Sequence, residues 1–200
     1  VQQKPMTSAL DELIAVKHPP RLVPAWASCL VATADTQKDY FWWVLRAWGP
    51  GGKSRLVDFG RAESFADLRR VCLDTPYPYE DRELPEVKPH ILCLDAGGGE
   101  VEGENDSRTH QVYQFALTDP AHIIPLRGAG GKARMVGAAQ IRVHNYMPKS
   151  QSSVMPIQFM YVNTAFCKDV LAHHLTQSGL LWELSLAATD EFRRQMSSEL

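Results

Sequence analysis

Three aspartates carry the chemical interest of this chain. Asp35 ends an apolar run over Ser28–Ala34, and Asp95 ends a second one over His90–Leu94. Asp169 falls in the first turns of a late helical segment, with His173 one turn further on the same face. Hard divalent cations take oxygen ligands, so carboxylates drawn from separate segments can cage them. Two such cations about 4 Å apart clamp the attacking water and the leaving oxygen of a phosphodiester. Each acid also has a plainer reading. A strand-end Asp often bonds its own backbone in a turn, and an Asp near a helix N-terminus favours the macrodipole.

Other chemistries are poorly supported. Cys29, Cys72, Cys93 and Cys167 are scattered, with no C-x-x-C pair, so neither a zinc ribbon nor a redox dithiol is encoded. They are expected to be reduced, buried thiols of a cytosolic protein. His173 and His174 are adjacent, point in different directions on a helix and cannot make an H-E-x-x-H site. Gly49-Pro50-Gly51-Gly52-Lys53-Ser54 imitates a phosphate-binding loop, but Ala47 stands where the pattern needs Gly. The residues that follow it, Ser54–Gly60, also read as a strand rather than the required helix.

The elements that would position the acids follow from turn signals and periodicity. Residues 1–27 are a lead-in, with a short helix around Ser8–Val16 stopped by Pro19 and Pro20. Strands are expected over Ser28–Ala34, Tyr40–Trp48 and Ser54–Gly60, an antiparallel meander. Ser64 caps a helix from Phe65, with Leu68, Val71 and Cys72 on its apolar face. After a Pro-rich link, His90–Leu94 reads as a strand buried on both faces. A triple glycine and an acidic loop (Glu100, Glu102, Glu104, Asp106) precede a helix near Thr109–Leu117 and a strand at His122–Leu126. Beyond a Gly-rich basic loop at Gly128–Lys132 come strands at Gln140–Asn145 and Pro156–Val162. Thr164 caps a helix to about Gln177, and Thr189-Asp190-Glu191 starts a last helix or tail. This order predicts an α/β fold, a ribonuclease H-like mixed sheet of three antiparallel strands followed by parallel strands, flanked by helices. Residues 28–200 form that domain.

Composition is compatible with it. Apolar residues are 44% and charged residues 22% of the 200, the balance of a soluble globular domain. No apolar run approaches the roughly 20 residues of a membrane-spanning helix, and the N-terminus has no secretory signal pattern. The absence of an initiator Met suggests a piece of something longer. A net charge of −2 is not that of a dedicated electrostatic DNA binder. Carboxylates that hold metals lower net charge, however, and bound cations restore local positive potential.

The motifs around the acids resemble the large terminase subunit of lambda-type tailed phages. Leu30-Val31-Ala32-Thr33-Ala34-Asp35-Thr36-Gln37 matches a strand ending in Asp-x-Gln, and Trp43–Gly49 with Leu56-Val57-Asp58-Phe59-Gly60 matches the strands after it. Leu94-Asp95-Ala96-Gly97-Gly98, Thr109, Val112-Tyr113 and Ile123–Gly128 form a second match. Tyr161-Val162-Asn163-Thr164, Lys168-Asp169, Leu175 and Asp190-Glu191-Phe192 form a third. The resemblance implies the C-terminal nuclease domain of a packaging motor, cutting concatemeric double-stranded DNA with two Mg²⁺ or Mn²⁺ ions. It implies Asp35 and Asp95 as the first two metal-binding, catalytic acids and Asp169 as the third. Arg127, Lys132 and Lys168 would contact DNA phosphate. Further expectations are an ATPase domain in the same polypeptide, a small terminase subunit and a portal as partners, no membrane, and action in the host cytoplasm. Two alternatives stay open: a non-catalytic nucleic-acid-binding or assembly module, and a related nuclease acting on another substrate such as a DNA junction.

Overall fold

The computed structural model describes residues 18–81, 83–97, 107–129, 137–146, 154–176, 181–186, 188 and 190–198. The Ser8–Val16 helix, the acidic loop, Lys132 and most of its Gly-rich loop lie outside the described residues.

The meander forms as the turn residues demand. Strands β1 (Cys29–Thr36), β2 (Phe41–Trp48) and β3 (Ser54–Ala62) pair antiparallel in sequence. The glycine-rich turn between β2 and β3 places Gly51 and Gly52 at positive φ, 71° and 78°, which glycine tolerates without a Cβ clash. It is a hairpin connection, and Lys53 Nζ lies 3.1 Å from Glu183 and over the Trp26 ring. No helix follows, so the phosphate-loop imitation ends there.

Helix α1 (Phe65–Arg69) is capped by Ser64, whose side chain accepts from the Asp67 N–H, and runs into a π-helical turn over Arg70–Asp74. Strand β4 (Ile91–Asp95) then pairs parallel to β1, and β5 (Ile123–Gly128) parallel to β4, with α2 (Arg108–Leu117) as the crossover. Ser107 caps α2 through the His110 N–H. Strands β6 (Ala139–Tyr146) and β7 (Met155–Val162) form an antiparallel pair, and β7 joins β5 in parallel.

The chain closes with α3 (Thr164–Thr176), β8 (Trp182–Glu183) and α4 (Asp190–Ser198). The eight strands lie in the order β6-β7-β5-β4-β1-β2-β3-β8. Three antiparallel strands, a parallel extension from the first of them and helices on both faces make the fold ribonuclease H-like.

Period-two alternation divides the sheet into a sealed face and an open one. Leu30, Ala32 and Ala34 of β1 and Leu92 and Leu94 of β4 are buried with Leu68 of α1 and Val112 and Ala116 of α2. On the other face Val44 and Phe59 meet Leu171 of α3 and Phe192 of α4 in a smaller cluster around Leu56 and Leu184. Strand β4 is therefore sealed on one face only, and its Ile91, Cys93 and Asp95 are half-buried. The continuous apolar run had suggested burial on both faces. Ile91 and Cys93 instead lie half-buried on the open face.

The C-terminal part of the chain departs from the sequence reading in detail. Asn163, not Thr164, caps α3, its Oδ1 accepting the Phe166 N–H at 3.1 Å. Phe166 and Val170 do not face the core, being 46% and 38% exposed, because α3 turns Leu171 inward instead. Strand β8 was not foreseen. It adds to β3 in parallel and is fixed by charge. Arg46 is buried, donates to Ser54 Oγ at 2.9 Å and to the Glu183 carbonyl at 3.1 Å, and lies 3.6 Å from the centre of the Trp182 ring. Arg55, equally buried, pairs with the carboxylates of Glu183 and Glu80, and His18 sits 3.3 Å from Glu183.

The segment ahead of β1 also packs, with Val23 fully buried and bridged to Tyr79. All four cysteines are free thiols; Cys72 is buried and the others are intermediate. Removing one partner of a buried ion pair strands the other charge away from water. Glu183→Ala is expected to cost about 3 kcal/mol, the low end for such a loss because Glu80 still meets Arg55. Urea denaturation of the variant beside wild type measures it.

Candidate active site

Parallel pairing of β1 and β4 decides where the first two acids meet. Ala34 is in register with Leu94, so the next positions, Asp35 and Asp95, stand opposite one another at the C-terminal ends of neighbouring strands. Adjacent strands lie about 4.8 Å apart, and opposed residues project to the same face. Ala34 and Leu94 both point into the sealed core, so Asp35 and Asp95 both point to the open face. Asp35 is exposed and Asp95 half-buried.

Short hydrogen bonds hold this end of the sheet. Thr36 Oγ1 donates to the Asp95 carbonyl at 2.6 Å, clipping β1 to β4 just past their last paired residues. Thr109 Oγ1 donates to the Ala96 carbonyl at 2.9 Å, anchoring the start of α2 to the loop after β4. Each carboxylate is oriented by one local donor. Gln37 Nε2 donates to Asp35 Oδ2, and the Gly97 N–H donates to Asp95 Oδ1 at 3.1 Å. A Cβ at Gly97 would sit 3.2 Å from Asp95 Oδ1, so a larger residue there would press on the carboxylate. The turn role and the site role of Asp95 thus coexist: one oxygen closes the turn. None of Thr36, Gln37, Gly97 and Thr109 had been assigned a role from sequence. For Gln37 the Asp-x-Gln spacing was the available signal.

Burial pushes the Asp95 carboxyl above the ordinary range, and the negative charge of Asp35 adds to the rise. The Gly97 N–H and the positive charge of Arg127 oppose it. Arg127 follows Leu126, which pairs with Asp95 across β4 and β5, so it stands at the rim of the acid pair. Two carboxylates with one of them reluctant to ionise make a site where a cation is favoured.

The remaining expected residues are placed less centrally. Asp169 and Lys168 are both exposed on the first half of α3. Among the described residues no group of three or more His, Cys, Asp or Glu side chains is placed to hold a metal. His173 is exposed, and His174 stacks on Trp182 with ring centroids 6.5 Å apart. No helix among the described residues is long and apolar enough to cross a membrane.

A family model described as terminase large subunit gpA, endonuclease domain, matches residues 3–200. The chain belongs to the terminase large subunit gpA endonuclease-domain family. It is also similar to the terminase large subunit of Enterobacteria phage P21, 29% identical over 114 residues, which is 54% of this chain and 16% of that protein. The chain therefore spans about a sixth of the length of the curated relative it matches. No solved structure matches. Membership in a family of endonuclease domains supports a nuclease role for this domain.

The raised Asp95 has a consequence for stability. A folded state that holds a proton more tightly than the unfolded chain is favoured by that group at pH below the ordinary carboxylate range. The contribution is lost as pH rises through the raised folded value. In chelator, Asp95→Asn should therefore raise Tm at neutral pH and remove this part of the fall in stability with rising pH. Thermal melts at several pH values check it, and a lower Tm at neutral pH would contradict the electrostatic account.

Proposed function

We propose that this domain is a metal-dependent endodeoxyribonuclease that cuts concatemeric double-stranded DNA when phage packaging starts and ends. The observation that carries the reading is the Asp35–Asp95 pair, opposed on one open sheet face, in a chain of an endonuclease-domain family. The donor set is oxygen only, and Asp95 is raised by burial and by Asp35, so a hard divalent cation suits it. Mg²⁺ and Mn²⁺ fit this donor chemistry. Mg²⁺ in particular binds through one or two carboxylates with waters and substrate phosphate completing the shell.

In this reading Asp35 and Asp95 hold the cation, and Asp169 is the proposed third acid of a two-ion site. Bound there, the metal supplies Lewis acidity at the phosphate and lowers the pKa of water to make a nucleophile. The chain's own share is placement. Thr36 keeps the two strand ends together, Gln37 and Gly97 aim the carboxylates, and Arg127, Lys132 and Lys168 are proposed to contact phosphate. An ATPase domain in the same polypeptide, the small terminase subunit and the portal are the proposed partners, and the host cytoplasm the proposed place of action.

A second reading, a non-catalytic DNA-binding or assembly module, is favoured by one observation: no three-ligand group occurs among the described residues. Supercoiled plasmid separates the two readings. Wild type is expected to nick and linearise it in Mn²⁺ and to leave it intact in chelator. Asp35→Asn and Asp95→Asn should each lower the rate on the order of 10²-fold or more, as loss of transition-state electrostatic stabilisation does, with circular dichroism unchanged. Asp169→Asn should lower it less and raise the Mn²⁺ concentration needed for half-maximal rate. Cleavage that survives both strand-end substitutions moves the site elsewhere; intact plasmid in every metal favours the module.

A further inference from the structure

The strand register places a row of side chains across the open face, at right angles to the strands. Asp95 stands opposite Asp35, Asp35 is paired with Trp42, and Trp42 is paired with Arg61. Paired residues of neighbouring strands share a face. Phe41 and Ala62, the next pair along, are buried in the main core, which confirms that Trp42 and Arg61 point the other way, with the acids. The open-face cluster around Phe59 and Phe192 ends one pair short of this row, so the row lies at the rim of the covered surface.

Arg61 is a prepared cation. Its guanidinium lies 4.0 Å from the centre of the Tyr40 ring, and Tyr40 meets Trp42 edge-on at 5.9 Å. A guanidinium flat on an aromatic wall loses less freedom on binding than a free one, and its fork matches two phosphate oxygens. It is 47% exposed, and its partner is Glu63, at 2.8 Å and 64% exposed. An exposed pair of this kind contributes little and exchanges readily for a better anion.

We propose that Arg61, carried on the Tyr40–Trp42 edge, binds a backbone phosphate of the DNA strand being cut, with Glu63 competing for it. Two strand spacings separate Arg61 from Asp35, about 10 Å. The phosphate therefore belongs within a few nucleotides of the bond at the acid pair. The inference rests on the nuclease reading of that pair, and it adds a positioning contact on the side of the sheet away from Arg127.

Binding of a duplex oligonucleotide is measured against salt in chelator, using Asp95→Asn protein so that nothing is cleaved. Arg61→Ala should weaken binding equally for unrelated sequences and make the log K against log salt slope shallower by about one. Arg61→Lys should keep the slope. Glu63→Gln should tighten binding when Arg61 is present and have no effect in the Arg61→Ala background. In Mn²⁺, with Asp95 restored, Arg61→Ala should raise KM and leave kcat nearly unchanged. If wild type cleaves plasmid but Arg61→Ala leaves the slope unchanged, this inference falls and the nuclease reading stands. If wild type neither binds nor cleaves, both fall. A Glu63→Gln gain that persists without Arg61 also overturns the contact.

Discussion

Two like charges held side by side at the end of a sheet organise this molecule. Asp35 and Asp95 repel one another, and Asp95 is partly withdrawn from water as well. Nothing local would bring them together, since Thr36 and the Asp95 carbonyl it bonds are 59 positions apart in the chain. Parallel pairing of β1 and β4 forces the approach, and that pairing is stabilised from below by Leu30, Ala32, Leu92 and Leu94, each almost wholly buried. Each fully buried aliphatic side chain contributes about 1.5–3 kcal/mol. The sealed face therefore outweighs the repulsion on the open face, and the unfavourable pair persists as a place where a cation is welcome. Stability and site are two sides of the same strands.

The same division of labour explains where the helices lie. Helices α1 and α2 pack on the lower face, and α2 is also tied by Thr109 to the loop that follows Asp95. Among the described residues, α3, β8 and α4 cover the upper face near Leu56 and Phe59. The last segment is held by buried charges rather than by a large apolar area: Glu183 joins Arg55, Lys53 and His18, and its carbonyl accepts from Arg46. The described elements of that cluster stop short of the transverse row through Trp42, Asp35 and Asp95. A net charge of −2 does not conflict with DNA as substrate, because the acids account for local negative charge that a cation reverses.

Much of the architecture was legible in short patterns. Apolar runs ended by Asp, a glycine turn after an aromatic strand, and Ser64 before Phe65 all have local causes, and the elements appear where those causes act. The failures share a different cause. Strand β8 has two residues, too few for any periodicity, and exists because Ser54 and Arg55 present an open edge. Asn163 and Thr164 are both good caps, and residue type alone does not say that the first is used. Phe166 and Val170 are apolar at helical spacing, yet α3 is docked through Leu171.

For the site, the amino-acid order alone determined that acids would stand at strand ends and that Gln37 and Gly97 would lie within reach of them. It could do so because turn chemistry and strand termination act over two or three residues. Which acids face each other was decided only by tertiary structure. Facing depends on strand order, direction and register, and these follow from how the two apolar faces are buried over the whole sheet. That is why Asp35 and Asp95 are found together and why Trp42 and Arg61 continue their row.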